Sequence, residues 1–187
     1  MSHYKKRIQP IETELDASKD IVISPTYGEI TIKEALNHIL EYYERTRDIN
    51  TEFEIVVGTD SQNFYDYCKI VPVIMARRVS AGGNYFYKYD YTERIDDVRK
   101  KLNIETQLSL LYANTILEIL EKDSKYEELY INTKFSIHVD AGMSDEGKTK
   151  DLIPGIVGWI NGTLHEINVE IKPESYCSSS VADMLSK

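Results

Sequence analysis

Apolar positions along the chain change period several times, and each change marks an element. Between residues 31 and 46, "TIKEALNHILEYYERT", Ile32, Leu36, Ile39 and Leu40 recur at helical spacing, and Thr31 with Glu34 forms a capping-box signature at the start. Three strand-like runs follow, at 54–60, at about 65–78 ("YDYCKIVPVIMARR") and at 84–93 ("NYFYKYDYTE"). The segments "SQNF" and "VSAGG" between them read as hairpin turns. Pro72 falls inside the second run and predicts a bulge or an edge position there. A long helical stretch covers about 96–122, with Leu108, Tyr112, Thr115, Ile116 and Ile119 as its buried stripe. "KFSIHVDAG" is then a fourth strand, "GKTKDLIPGIVGWING" a helix with Pro154 near its start, and "LHEINVEIKP" a fifth strand of period two. A short helix starting near Ser179 closes the chain, while residues 1–30 are mixed and turn-rich.

The order is β-β-β-α-β-α-β-α. Three consecutive strands predict an antiparallel meander, and the two later strands, each reached through a helix, predict parallel crossovers. The expected fold is α/β: a mixed five-stranded sheet, three strands antiparallel and then two parallel, flanked by helices. Residues 1–50 form an N-terminal helical extension in this reading, and residues 51–187 form the main domain.

Composition changes this picture little. The 187 residues are 42% hydrophobic and 28% charged, values of a globular domain with a sizeable core. No run is long and apolar enough for a membrane span. The basic start "MSHYKKRIQPIE" has no apolar core behind it, and Cys68 and Cys177 have neither scaffold nor zinc spacing, so the expectation is a reduced, cytoplasmic protein. Nothing in the sequence fixes the oligomeric state. The net charge of −9 disfavours a protein that coats nucleic acid by neutralising phosphates, but leaves room for one that meets phosphate through divalent cations.

The chemistry sits where strands end on acids. "EIVVGTDSQ" carries a β-branched run up to Gly58 and then presents Asp60, Ser61 and Gln62; "FSIHVDAG" repeats the design and presents Asp140. If these two strands are parallel neighbours, Asp60 and Asp140 lie side by side. Glu105 precedes Leu108, Tyr112 and Ile116 by three, seven and eleven residues, so it shares the sheet-facing side of the long helix. Asp183 sits on the closing helix. Taken singly, each is an ordinary turn or surface acid. Together they would repel one another unless cations neutralise them, and an all-oxygen donor set suits Mg²⁺ or Mn²⁺ rather than zinc. Two such ions about 4 Å apart would serve phosphodiester hydrolysis.

On "VGTDSQ", "ETQLS", "HVDAG", "GKTKDLIPGIVGWI" and "IKPESYCSSSVAD", spread over about residues 28–187, the chain resembles the YkuK-type ribonuclease H-like family. The resemblance implies a metal-dependent nuclease with Asp60, Glu105, Asp140 and Asp183 as catalytic metal ligands for two Mg²⁺ or Mn²⁺ ions. It implies that Asp60 bridges both ions, that Asp183 helps hold the one activating water, and that Glu105 and Asp140 hold the other. RNA or an RNA–DNA hybrid is the first substrate; a structure-selective, resolvase-like DNA nuclease and a non-catalytic nucleic-acid-binding module are the alternatives. Ser61, Gln62, Lys148 and Lys150 are candidate substrate contacts; related enzymes carry a product-releasing histidine before the last helix, none follows His165 here, and Lys172 or Ser175 is the candidate to stand in for it.

One rival motif lies in the same stretch. "GMSDEGKT", residues 142–149, matches a phosphate-binding loop and follows a strand. Asp145 and Glu146 inside it would oppose a triphosphate, and the strand after it supplies no terminal acid for magnesium, so an NTPase ranks last. The alternating tyrosines of "NYFYKYDYTE" suit base stacking or, more commonly, packing under a helix or the N-terminal extension. Arg77 and Arg78, with Arg99, Lys100 and Lys101, are the nearest approach to a basic patch. His138 reads as a satisfied core histidine.

Overall fold

The computed structural model describes residues 8–142, 149–164, 167–172 and 175–187. Its frame is one mixed sheet with eight strands among these residues, in the order β2-β1-β5-β4-β3-β7-β8, with β6 also paired to β4. β3 (Phe53–Asn63) and β4 (Tyr67–Arg78) form the central antiparallel pair, matched from Phe53↔Arg78 to Asn63↔Cys68 without a break. β7 (Thr133–Gly142) runs parallel to β3, and β8 (Asn168–Lys172) parallel to β7.

Three differences from the sequence expectation have physical causes. The 84–93 run is two strands, β5 (Gly82–Tyr87) and β6 (Asp90–Glu93), which share β4 as partner. Pro72 explains the split. It lies opposite Thr59 in an unbroken β3–β4 register, so it marks neither bulge nor edge. Its carbonyl accepts the Lys88 N–H at 3.2 Å, just where the partner changes from β5 to β6. Both polar groups of a strand residue point to the same side, so the N–H that proline lacks falls in that gap and no ladder bond is lost. Finally, the N-terminal region is more than helical: β1 (Ile21–Ser24) and β2 (Gly28–Thr31) form a hairpin that joins β5 through Ile23↔Tyr87. Among the described residues the sheet therefore has eight strands where the sequence predicts five.

α1 (Ile32–Arg45) starts on the expected capping box, with Thr31 and Glu34 bonded reciprocally, worth about 1 kcal/mol. It packs with α2 (Val98–Lys122) and α4 (Ile153–Thr163) on one face of the sheet, over Phe53, Ile55, Val57 and Ile137. Pro154 sits in the first turn of α4, where its missing N–H costs nothing. α3 (Glu127–Ile131) links α2 to β7.

The opposite face is covered by the end of the chain. A π-helical turn, Cys177–Ala182, leads into α5 (Asp183–Ser186) and packs on Val56, Val71, Val73 and Met75. Tyr85, Tyr87, Tyr89 and Tyr176 border that cluster, so the tyrosine stripe is packing material under the C-terminal segment. With both faces covered, β3 is buried from Phe53 through Ser61.

A polar strap fastens that segment. Glu54 Oε2 accepts Arg77 Nε–H and Tyr176 O–H, both at 2.8 Å, and the Arg77 guanidinium lies 3.9 Å from the centre of the Tyr176 ring. Burial alone would raise the Glu54 carboxyl, but the bonds from Arg77 and Tyr176 hold it below its ordinary value. His138 is satisfied on both nitrogens: Nδ1 accepts the Cys177 N–H at 3.1 Å, and Nε2 lies 3.0 Å from Glu170 Oε2, which fixes the Nε2–H tautomer. Burial pushes this imidazole down to about 4, against the pull of Glu170, so it is neutral at physiological pH. Arg78 is buried, donates to the Thr51 carbonyl and stacks near Phe53 and Tyr43. Arg77 and Arg78 are therefore structural. Glu54→Ala is expected to cost about 2–3 kcal/mol by denaturant unfolding, below the figure for a fully buried pair because 34% of the Arg77 side chain stays in solvent. A change within error would mean that water replaces the strap.

Candidate active site

The β3–β7 ladder runs from Phe53↔Thr133 to Gly58↔His138 and then opens. The same offset carried two residues on points Asp60 toward Asp140, across a register shift in β7 between Val139 and Gly142, and the two charges act on each other. Side chains alternate along β3, so Thr59 and Ser61 face α2 while Asp60 faces the C-terminal segment. The contacts agree: Ser109 Oγ of α2 is 2.9 Å from Thr59 Oγ1, and Ser186 Oγ of α5 is 2.7 Å from Asp60 Oδ2. α2 lies across the opening. There Ser61 donates to Glu105 Oε1 at 2.6 Å, and Lys101, one helical turn earlier, holds its Nζ 4.0 Å from the same oxygen. Thr59, Glu105, Ser109 and Asp140 come together there around a gap too small to admit a water molecule.

The electrostatics follow from burial and crowding. Asp60 and Glu105 are each only 8% exposed. Burial, then the charge of Asp60, and more weakly that of Asp140, push Glu105 up to about 8 against the help of Ser61 and Lys101. Asp60 is raised chiefly by burial and also by Asp140, while the Ser186 bond and Lys101 pull it down. Three carboxylates thus share one field; among the described residues Lys101 lies beside Glu105, and Lys187 also feels the Asp60 charge.

Asp183 is placed differently. It opens α5, and its carboxylate pairs with Lys187 at 2.7 Å; the residue of α5 that meets Asp60 is Ser186. Among the described residues, no group of three or more histidine, cysteine, aspartate or glutamate side chains is set to hold a metal ion. The donor chemistry nonetheless fits a hard divalent cation: all-oxygen carboxylates backed by hydroxyls, with a mutual repulsion that a cation would relieve.

The other candidates spread out. Gln62 is exposed on β3 just past Ser61. Ser175 is fully buried, with its N–H on the Ile171 carbonyl. Lys172 ends β8 opposite Gly142, and Lys150 opens the exposed turn before α4. Lys148 and most of "GMSDEGKT" lie outside the described residues. Sequence reasoning overlooked Ser186 and undervalued Lys101. The i,i+4 spacing of Lys101 and Glu105 was a readable signal; the role of Ser186 had none, because only tertiary packing brings it to Asp60.

A fold of this kind, with strand-end acids on parallel neighbours and a third acid on the crossing helix, agrees with comparison to known proteins. A family profile described as "Ribonuclease H-like" matches residues 34–187, and the chain belongs to that family. A Bacillus subtilis (strain 168) protein described as "Uncharacterized protein YkuK" is 28% identical over 166 residues, spanning 86% of this chain and 93% of its own length. No solved structure matches. No helix among the described residues is long and apolar enough to cross a membrane.

Proposed function

We propose that this protein is a metal-dependent nuclease that hydrolyses phosphodiester bonds, with RNA or an RNA–DNA hybrid as substrate. The observation that carries the reading is the shared field of Asp60, Glu105 and Asp140 at the opening between β3 and β7. Proteins of this fold commonly use divalent metals, and these carboxylates, with Asp183 swung in from α5, would hold Mg²⁺ or Mn²⁺. Bound there, the cations supply Lewis-acid activation of water and charge stabilisation on the departing oxygen.

The protein's own groups do the positioning. Ser61 fixes one oxygen of Glu105, Ser186 fixes one oxygen of Asp60, and Lys101 adds positive charge beside an acidic cluster that must receive a polyanion. Gln62 and Lys150 are exposed, and with Lys148 and Lys172 they make up the proposed contacts to the substrate backbone; Ser175, the remaining candidate, is fully buried and reaches a substrate only if the segment over it moves.

The test is a cleavage assay on end-labelled single-stranded RNA, RNA–DNA hybrid, single- and double-stranded DNA and a four-way junction, each with Mg²⁺, Mn²⁺ or EDTA. Cleavage of RNA or hybrid that EDTA abolishes is the expected result. Cleavage of the junction alone would assign a structure-selective DNA nuclease. A second reading, a nucleic-acid-binding module without catalysis, is favoured by the lack of a ready-made metal cage among the described residues; binding with no cleavage of any substrate would establish it. Within the nuclease reading, Ser61→Ala is expected to lower kcat by about tenfold or more with little change in KM, as loss of a bond that orients a metal ligand does. Unchanged kcat would make Ser61 a purely structural residue.

A further inference from the structure

β3 and β4 run on past the acids as a hairpin. Asp60 lies opposite Val71, and Gln62 opposite Lys69. With a period of two, Asp60, Gln62 and Phe64 share one face of the hairpin with Lys69 and Tyr67. The contacts agree. The Phe64 and Tyr67 rings stack with centres 4.8 Å apart and planes 12° apart, and Lys69 Nζ lies 5.8 Å from the centre of the Phe64 ring and 5.2 Å from that of Tyr89. The tip residue is Tyr65, at most about 17 Å along the strand from Asp60.

Tyr65 is 96% exposed, where no other large apolar side chain among the described residues exceeds 69%. Turn chemistry does not account for it, because tight hairpin turns favour Asn, Asp and Gly. Nor is the tip loose. The Phe64 N–H donates to the Tyr67 carbonyl at 2.8 Å, the Arg94 guanidinium donates to the Phe64 carbonyl at 2.6 Å, and the Asn63 side chain bonds both backbone groups of Ile95. A tyrosine ring is thus held out in water on a braced support, beside a ledge of two stacked rings. Lys69 adds an independent sign. Burial lowers its ammonium below the ordinary value, and no carboxylate among the described residues pairs with it. A partly desolvated cation over two ring faces, with no anion beside it, is short of a partner.

The chemistry of that partner follows from the two features together. Aromatic faces take planar rings, and the ammonium takes an anion; a strand of nucleotides supplies both in alternation. In a duplex each base is already paired and stacked, so only an unpaired strand offers a free base face. We infer that the β3–β4 hairpin is a single-strand arm of the active site: Tyr65 stacks on an unpaired base of the substrate, and Lys69 meets a phosphate between that base and the phosphodiester to be cut. The inference deepens the proposed function and rests on it for the nucleic acid, not for the cleavage. Single-stranded RNA, or a hybrid with an unpaired tail, meets the requirement; a blunt hybrid does not.

Fluorescence anisotropy of the full chain tests it, in EDTA and, in the Asp60→Asn background, with Mg²⁺. The labelled probes are oligouridylate, a blunt RNA–DNA hybrid and the same hybrid with an unpaired RNA tail. Tyr65→Ala is expected to weaken binding of the oligouridylate and the tailed hybrid by about fivefold to a hundredfold and to leave the blunt hybrid unchanged. Tyr65→Trp keeps a stacking face and should bind the unpaired probes at least as tightly as wild type. Lys69→Gln should lower the slope of log affinity against log salt by about 0.7, the loss of one phosphate contact on a single strand. The Tyr65 ring lies in solvent, so the melting temperatures of its variants should not move. Equal affinity of wild type and Tyr65→Ala for oligouridylate, an equal loss on the blunt hybrid, or Tyr65→Trp no tighter than Tyr65→Ala would overturn the inference and leave the nuclease reading standing. Tyr65-dependent binding with no cleavage in Mg²⁺ or Mn²⁺ would keep the arm and sink the nuclease reading. No binding of any probe would sink both.

Discussion

Replacing Asp60 with Asn is expected to lower metal-dependent phosphodiester cleavage by more than about a hundredfold, since altering even an outer-shell partner of a metal ligand costs about ten- to a hundredfold. The fold should survive. Asn is nearly isosteric, and its side-chain oxygen can still accept the Ser186 hydroxyl that now bonds Asp60 Oδ2. Burial and the neighbouring Asp140 both disfavour the Asp60 charge, so removing that charge relieves the folded state rather than straining it. The expected pair of observations is thus loss of cleavage with an equal or higher melting temperature. A purely structural carboxylate would give the opposite pair, with cleavage kept and stability lost. Retained cleavage would move the chemistry away from the opening between β3 and β7.

What the sequence discloses about this site depends on how far each relation reaches along the chain. The period of "EIVVGTDSQ" and "FSIHVDAG" is local, and the parallel pairing that brings the ends carrying Asp60 and Asp140 together follows once the two strands are taken as neighbours. Glu105 is legible from its spacing to Leu108 and Tyr112 on one helix face. Asp183 shows where such reasoning stops. Its helix does reach β3, but Lys187 takes its carboxylate through an i,i+4 pair, and Ser186 rather than Asp183 meets Asp60.

The fold divides the same way. Capping by Thr31 and Glu34 is local and legible. The hairpin of β1 and β2 has only four residues per strand, too short for a period to register, and its attachment to β5 through Ile23↔Tyr87 spans more than sixty positions. The π-helical turn at Cys177–Ala182 has no composition of its own; its pitch comes from packing against Val56, Val71 and Met75 and from the His138 ring that receives the Cys177 N–H. Pro72 misleads for a related reason. Its tolerance depends on which of two partner strands lies opposite, and that is settled by tertiary pairing.

Glu105 gives the second large effect, on stability rather than rate. Its carboxyl is raised from an ordinary value of 4.5 to about 8, first by burial and next by Asp60. The folded protein therefore binds a proton at this site that the unfolded chain releases at lower pH. Stability then falls as pH rises from about 4.5 toward 8, the opposite of the usual behaviour of a paired carboxylate. In metal-free protein the difference between wild type and Glu105→Gln, taken across that window, isolates this group from Asp90, which burial raises to about 6 and which both proteins share. Wild type should lose stability relative to the variant by a few kcal/mol between the two ends. Saturating Mg²⁺ or Mn²⁺ should abolish most of that loss, because a cation replaces the proton as the charge that balances Glu105, Asp60 and Asp140. Chemical denaturation at a series of pH values, with EDTA or with metal, reads both effects. If the two proteins keep parallel stability curves in EDTA, Glu105 is already compensated by Lys101 and Ser61, and the case for a cation at this opening loses its electrostatic ground.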